Sequence, residues 1–286
     1  MICTKFRTPI EDIHGSFEIS HGDTIVMLGS CFSDSIGSRL DDDGFTTLHN
    51  PLGPLYNPAS IANVIEHRNG YAEDEMFSDA GIWHCLDYAS RYSSSQVDAL
   101  VDMVNVEHSK LISAIDKASV AIITFGTTGV YRFNATGKIV GNCHRLQASM
   151  FTRENLSLDG IVNRWSDVID FLPEKIIFTL SPIRYVADGF AVNSLSKATL
   201  RLAIDAIKNI AEKKGHIVDY FPAFEIMNDD LRDYRFYESD MKHPSAVAVD
   251  YIYDNFAEAY FSKKTVETAH GYRRAAARAR HIPKND

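Results

Sequence analysis

The sequence predicts an α/β fold, a three-layer α/β/α arrangement around a central, mostly parallel five-stranded sheet. Three observations carry this. Four short runs are apolar, β-branched or aromatic and stop at or just before Gly, Ser or Pro, as strands covered on both faces do. Longer segments with helical periodicity separate them. No linker rich in Pro, Gly or Ser divides the 286 residues, and no internal repeat is visible. A single domain over residues 1–262 is therefore expected, followed by a basic tail over residues 263–286.

In chain order, TIVMLG (24–29) is the first strand and GFTTLHN (44–50) a weaker one. VAIITFG (120–126), KIIFTLSP (175–182) and HIVDYFPA (216–223) complete the set. Helices are expected over 33–43, 57–68, 94–118, 152–172 and 194–215. In the last, Leu195, Leu202, Ala203, Ala206, Ile207 and Ile210 fall on one side, with Lys197, Arg201, Asp205, Lys208 and Glu212 opposite. Asn193 and Ser194 suit its N-cap and Gly215 its end. Residues 70–95 form an aromatic-rich insertion. A second insertion, over about 130–150, opens with a hairpin whose turn lies at Asn134 to Gly137. From Lys263 onward seven Lys or Arg stand against Glu267 and Asp286, the pattern of a solvated helix.

Composition narrows the function. Hydrophobic residues make up 45% and charged residues 23%, the balance of an ordinary globular chain. A net charge of −9 lacks the clustered basic face that a nucleic-acid partner would need. The first residues hold no apolar run of signal-peptide length, and nothing approaches the roughly 20 apolar residues of a membrane span. Cys3, Cys31, Cys85 and Cys143 are far apart with no CxxC pair, so reduced thiols and a cytoplasmic location are expected. His84-Cys85 and Cys143-His144 are adjacent pairs whose side chains point to opposite faces of an extended chain. Asp41, Asp42 and Asp43 read as a solvated helix end. No metal and no cofactor is expected.

Ligands of open α/β sheets bind beyond the carboxyl ends of the strands, so the residues there matter most. Gly29-Ser30-Cys31-Phe32 follows the first strand and runs into a helix. Gly29 permits a sharp turn, Ser30 can be presented on it, and the Cys31 amide can face an oxyanion. Alternatively Ser30 or Ser33 merely caps the helix, and Cys31 competes with Ser30 as nucleophile if its thiol is acidified. Beyond the last strand Asp240 and His243, three apart before a Pro-started helix, can pair so that one imidazole nitrogen is held and the other accepts a proton.

GSCF at 29–32, NPLGPLYNPxSI at 50–61, NCH at 142–144, SPIR at 181–184 and DxxHP at 240–244 together resemble the GSCFA family, a branch of the SGNH or GDSL-like hydrolases. The resemblance runs from about residue 5 to residue 262. It implies the flavodoxin-like SGNH-hydrolase fold and a Ser30-Asp240-His243 triad. It also implies an oxyanion glycine at Gly53, whereas Thr128 stands where the superfamily carries asparagine. Asn142 on the hairpin is the substitute donor considered, and Tyr56, Asn57, His144 and Arg184 are the expected substrate contacts, with Trp83 and His84 as further wall residues. The expected reaction is hydrolysis of a small or carbohydrate O-acyl ester, such as an O-acetylated sugar, with a short acyl group. Transfer to an acceptor hydroxyl, ligand binding without turnover, and thiol chemistry at Cys31 or Cys143 are the alternatives.

Overall fold

The computed structural model describes residues 8–280 apart from residue 12, with side chains to residue 275. Cys3 and the last six residues of the basic tail lie outside the described residues. The chain runs β1 (Thr24–Gly29), α1 (Cys31–Asp42), β2 (Thr46–His49), α2 (Pro58–Glu66), β3 (Phe77–Asp79), β4 (Ile82–His84) and β5 (Ser93–Ser94). It continues through α3 (Val97–Lys117), β6 (Val120–Phe125), β7 (Gly129–Phe133), β8 (Ile139–Val140), β9 (Phe151–Asn155), α4 (Leu158–Val168) and β10 (Lys175–Leu180). The last elements are α5 (Phe190–Lys213), β11 (Ile217–Phe221), the short α6 (Ala223–Glu225), α7 (Ala246–Tyr260) and α8 (Lys263–Arg280).

The main sheet has five strands in the order β11-β10-β6-β1-β2, all parallel. From β1 the chain first moves outward to β2, then returns past β1 to add β6, β10 and β11. This is the 2-1-3-4-5 doubly wound order, whose crevice opens between the first and third strands, here β1 and β6.

Strand alternation divides the core in two. Val26 and Leu28 face α2, α3, α4 and α5, whose contribution includes the fully buried Trp165. Ile25 and Met27 face α1 and α7. Each such aliphatic side chain stabilises the fold by about 1.5–3 kcal/mol through burial, which is why the strands read as continuous apolar runs.

Three elements differ from the sequence expectation. The segment taken as the start of a helix at 152 is instead β9, which pairs antiparallel with β7 to give a β8-β7-β9 sheet beside the expected hairpin. Its TREN sequence is polar because that ribbon faces solvent on most positions, so apolar alternation is absent. The helix begins only at Leu158, capped by Ser157, whose hydroxyl accepts from the Gly160 amide at 3.1 Å.

Helix α5 starts at Phe190, so Asn193 and Ser194 lie inside it, and Asn193 Oδ1 accepts from the Tyr185 amide at 2.9 Å. Its buried face is Ser196, Lys197, Leu200, Ala203, Ile204, Ile207 and Ala211, while Leu195 and Leu202 are exposed. The expected stripe was thus rotated, and Lys197 belongs to the interior.

The basic tail is a helix from Lys263, and one face of it is packed. Ala269 and Thr265 are buried, and Arg273 pairs with Asp43. Asp43, expected in solvent, is fully buried and also accepts from Tyr253 Oη at 2.6 Å. Among the described residues no helix is long and apolar enough to cross a membrane.

Candidate active site

Ser30 is the N-cap of α1: it keeps extended dihedrals (φ −65°, ψ 171°) and its Oγ accepts from the Phe32 amide at 3.3 Å. Such a cap is worth about 1 kcal/mol, so the helix-capping alternative is realised in the structure. Gly29 makes the turn possible. Its φ is +152°, and a Cβ there would lie 2.4 Å from the Thr124 carbonyl of the neighbouring strand. Cys31 N–H is the first of the helix, where no intrahelical acceptor exists, and it adjoins Ser30.

Asn50, at the end of β2, braces this turn. Its Oδ1 accepts from Gly29 N at 2.9 Å and its Nδ2 donates to Ser30 O at 3.2 Å, with Asn50 buried and in the left-handed region at φ 38°.

The Ser30 hydroxyl is itself fully buried and donates to Ser181 Oγ at 3.0 Å. Ser181 follows β10, and its Oγ also accepts from Ile183 N at 3.3 Å. The same loop reaches the segment after the last strand, where Arg184 N donates to Lys242 O at 3.2 Å.

There His243 Nδ1 lies 2.6 Å from Asp240 Oδ2, and Asp240 Oδ1 accepts from His243 N at 3.0 Å and Lys242 N at 2.9 Å. These bonds from His243 and Lys242 hold the Asp240 carboxyl well below the usual carboxylate range. An ionised Asp240 can only accept, so His243 Nδ1 is the donor of this pair. Both side chains are exposed, and Ser30 and His243 share no hydrogen bond. Asp240 is nonetheless near enough to be among the charges that raise the Cys31 thiol. Burial is the larger cause of that rise, so Cys31 is held as the neutral thiol rather than an acidified one.

A cleft of about 480 Å³ is lined by Tyr56, Asn57, Asn142, Arg153 and Tyr185 among others. Tyr56 and Tyr185 meet edge to face with centroids 5.7 Å apart. Burial, then the nearby Cys31, raises the pKa of both, so both phenols stay neutral donors. The Tyr185 hydroxyl is buried without a hydrogen-bond partner among the described residues. Asn57 caps α2, its Oδ1 accepting from Ser60 N at 2.8 Å.

Several expected contacts lie elsewhere. Gly53 N–H donates to Asn50 O at 2.8 Å in a tight turn, so it is not free to hold an oxyanion. Thr128 points to α5, where its Oγ1 and N–H reach Ser196 Oγ at 3.1 and 2.7 Å. Asn142 by contrast stays on the cleft wall, its Oδ1 accepting from His144 N at 2.8 Å and its Nδ2 taking no part in that bond. His144 is buried, with Nε2 at 2.8 Å from Cys85 O and 2.9 Å from Tyr88 O, and its Nδ1 meets His84 Nδ1 at 3.2 Å. It packs the insertion rather than lining the cleft, and burial lowers the pKa of both histidines. The Arg184 guanidinium stacks on Tyr237 at 4.2 Å and Tyr234 at 5.3 Å rather than standing free for an anion. Trp83 packs against the core.

Sequence reasoning missed Asn50, Ser181, Tyr185 and Lys197. The first two stand inside motifs already singled out, NPLGP and SPIR, so their positions after strand ends were the available signal. Tyr185 follows SPIR directly. Lys197 gave none, since a lysine on a helix reads as solvent-facing.

The fold and the serine turn at the switch point define a doubly wound α/β protein with its candidate chemistry beyond the carboxyl ends of the strands. Residues 24–256 match the GSCFA family, and the chain belongs to it. No curated protein matches it. Solved structures that align with this chain include an α/β hydrolase enzyme from the metagenome of Lake Arreo, Spain, at 9% identity and TM-score 0.44, covering 84% of this chain and 96% of that one. A family 3 carbohydrate esterase from Talaromyces cellulolyticus aligns at 6% identity and TM-score 0.40, over 87% of this chain and 99% of its own. A catalytic mutant of an acetylxylan esterase from Geobacillus stearothermophilus aligns at 12% identity and TM-score 0.37, over 86% and 98%.

Proposed function

We propose that this protein is a serine hydrolase acting on a small or carbohydrate O-acyl ester, with Ser30 as nucleophile and the Asp240-His243 pair as its base. The observation that carries the reading is the 2.6 Å Asp240–His243 bond on a loop whose Asp240 charge reaches Cys31, the neighbour of the serine on the glycine turn at the sheet's switch point. Asp240 fixes the tautomer, leaving His243 Nε2 to take the Ser30 proton. Ser30 Oγ attacks the ester carbonyl, and the Cys31 N–H faces the oxygen that gains the charge. Collapse of the adduct expels the alcohol, which leaves with the proton from His243. Water, deprotonated by His243, then cleaves the acyl-Ser30 ester and restores the serine. The reading requires the exposed 238–243 loop to bring His243 to Ser30, because Ser30 is directed to Ser181 in the described state. Catalytic hydrogen bonds commonly tighten only with substrate bound.

The cleft suits a polyhydroxylated alcohol portion. Tyr56 offers a ring face and a hydroxyl, Tyr185 its ring, and Asn57, Asn142 and Arg153 offer polar groups.

A second reading, ligand binding without turnover, is favoured by one observation: of the four expected oxyanion donors, Cys31, Gly53, Thr128 and Asn142, Gly53 and Thr128 are engaged elsewhere. Labelling with a small fluorophosphonate separates the two. A single adduct mapped to Ser30, absent in Ser30→Ala, supports the hydrolase. No adduct on folded wild-type protein removes it and leaves the binding reading.

A further inference from the structure

Lys197 is 3% exposed and, among the described residues, forms no ion pair with a carboxylate. A buried lysine without a counter-charge is costly, so its partners define what it does. Its Nζ donates to Ser181 O at 2.6 Å and to Gly126 O at 2.8 Å, with the Tyr185 and Phe224 rings 5.3 and 5.5 Å away.

Those two carbonyls have a particular place. Strands β6 and β10 pair in register up to Phe125 and Leu180, and Ser181 N still donates to Phe125 O at 2.8 Å. Beyond that rung the two chains part, β6 into the Gly126 turn and β10 into the SPIR loop. Lys197 reaches up from α5 and joins them at the point of separation. Ser181, held by its carbonyl on one side, accepts with its Oγ from Ser30 Oγ on the other at 3.0 Å. A purely apolar side chain would fill the space between the two rings but could not join the carbonyls.

We propose that Lys197 is a positioning residue for Ser30, acting through Ser181: by tying the Gly126 and Ser181 carbonyls it fixes the Ser181 hydroxyl beside Ser30 Oγ, so that this oxygen keeps its place, accepting from Ser181, when its own O–H turns from Ser181 to His243. This rests on the reading of Ser30 as nucleophile. Either charge state of the amine can make both bonds, so the role does not depend on protonation.

The test is the rate at which a small fluorophosphonate modifies Ser30 in wild type, Lys197→Met, Ser181→Ala and the double variant, each checked for folding by its urea midpoint. Each single change is expected to slow labelling about tenfold, since small displacements of a reacting group have effects of that order. The double variant should be no slower than the slower single, because both changes cut one path. If Lys197→Met does not fold, Lys197→Gln, one bond shorter and so unable to span both carbonyls, takes its place with the same expectation. Singles that label unchanged or faster, or a double whose loss is the product of the two, would assign Lys197 to general stability and overturn the proposal. If wild-type Ser30 takes no label, the hydrolase reading and this proposal fail together. If wild type is labelled and Lys197→Met is unaffected, only this one fails.

Discussion

The Asn50 side chain bridges the two backbone groups that flank the Ser30 turn, accepting from Gly29 N at 2.9 Å and donating to Ser30 O at 3.2 Å. Asn50 is buried and its φ is 38°, a region in which asparagine is among the few tolerated side chains. Asn50→Ala should therefore lose both bonds and add backbone strain, at a cost of about 3 kcal/mol in urea unfolding. Asn50→Gly loses the bonds but not the conformation, and should be about 1 kcal/mol less costly. Equal losses for the two would mean that the left-handed backbone is unimportant here.

Lys197 carries a pH dependence with a definite sign. Burial lowers its pKa from the usual 10.5 to about 7, with no carboxylate to offset it. Between about pH 7 and 10.5 the unfolded chain holds more protons at this site than the folded one, so the Lys197 contribution to stability rises with pH. The slope approaches about 1.4 kcal/mol per pH unit for one proton and flattens below pH 7. Lys197→Met lacks this contribution. Its stability relative to wild type should fall as pH rises from 7 to 10, measured by urea titrations of both proteins. A constant difference across that range would contradict a depressed lysine pKa.

The main sheet was legible because β1, β6 and β10 are buried along their length and each announces itself as an unbroken apolar run. The serine turn was legible for a related reason: only glycine accommodates the approach of Gly29 to Thr124, and it stands directly after such a run. What stayed hidden depended on tertiary contacts. Strand β9 carries Thr152, Arg153 and Glu154, whose pairing partner is a hairpin rather than a core, so its strand character is set by β7. On α5 the wheel placed Lys197 with the solvated residues because charge dominates any hydropathy pattern. Its actual partners, the carbonyls of Ser181 and Gly126, are backbone groups and leave no trace in the residue types. Gly53 shows the converse, a motif residue in the expected place whose amide is consumed by the turn it makes with Asn50.

The Tyr185 hydroxyl is buried with no partner among the described residues, while its ring borders the cleft. Removing an unpartnered buried hydroxyl abolishes a desolvation cost, so Tyr185→Phe should leave the fold unharmed or stabilise it by up to about 1 kcal/mol. Under the proposed function the same change should leave ester turnover nearly unaltered, since the ring that borders the cleft is kept and the hydroxyl is buried behind it. Thermal unfolding and ester hydrolysis measured on the same preparation check both halves. A clear loss of stability would mean that the hydroxyl serves the fold.

The packing of α8 gives the last prediction. Arg273 donates through Nε and Nη2 to the fully buried Asp43 carboxylate, which also accepts from Tyr253 Oη at 2.6 Å. That pairing, working against a smaller burial effect, holds the Arg273 pKa above its usual value. Removing the arginine alone leaves a buried carboxylate with one phenol for company, so Arg273→Met should destabilise the protein by about 3 kcal/mol. Replacing both members as Arg273→Met with Asp43→Asn removes the stranded charge and should recover part of that loss. Chemical unfolding of the three variants tests the coupling. If the double variant is as unstable as the sum of the two singles, the tail helix is held by its apolar face, through Ala269 and Val266, rather than by the ion pair.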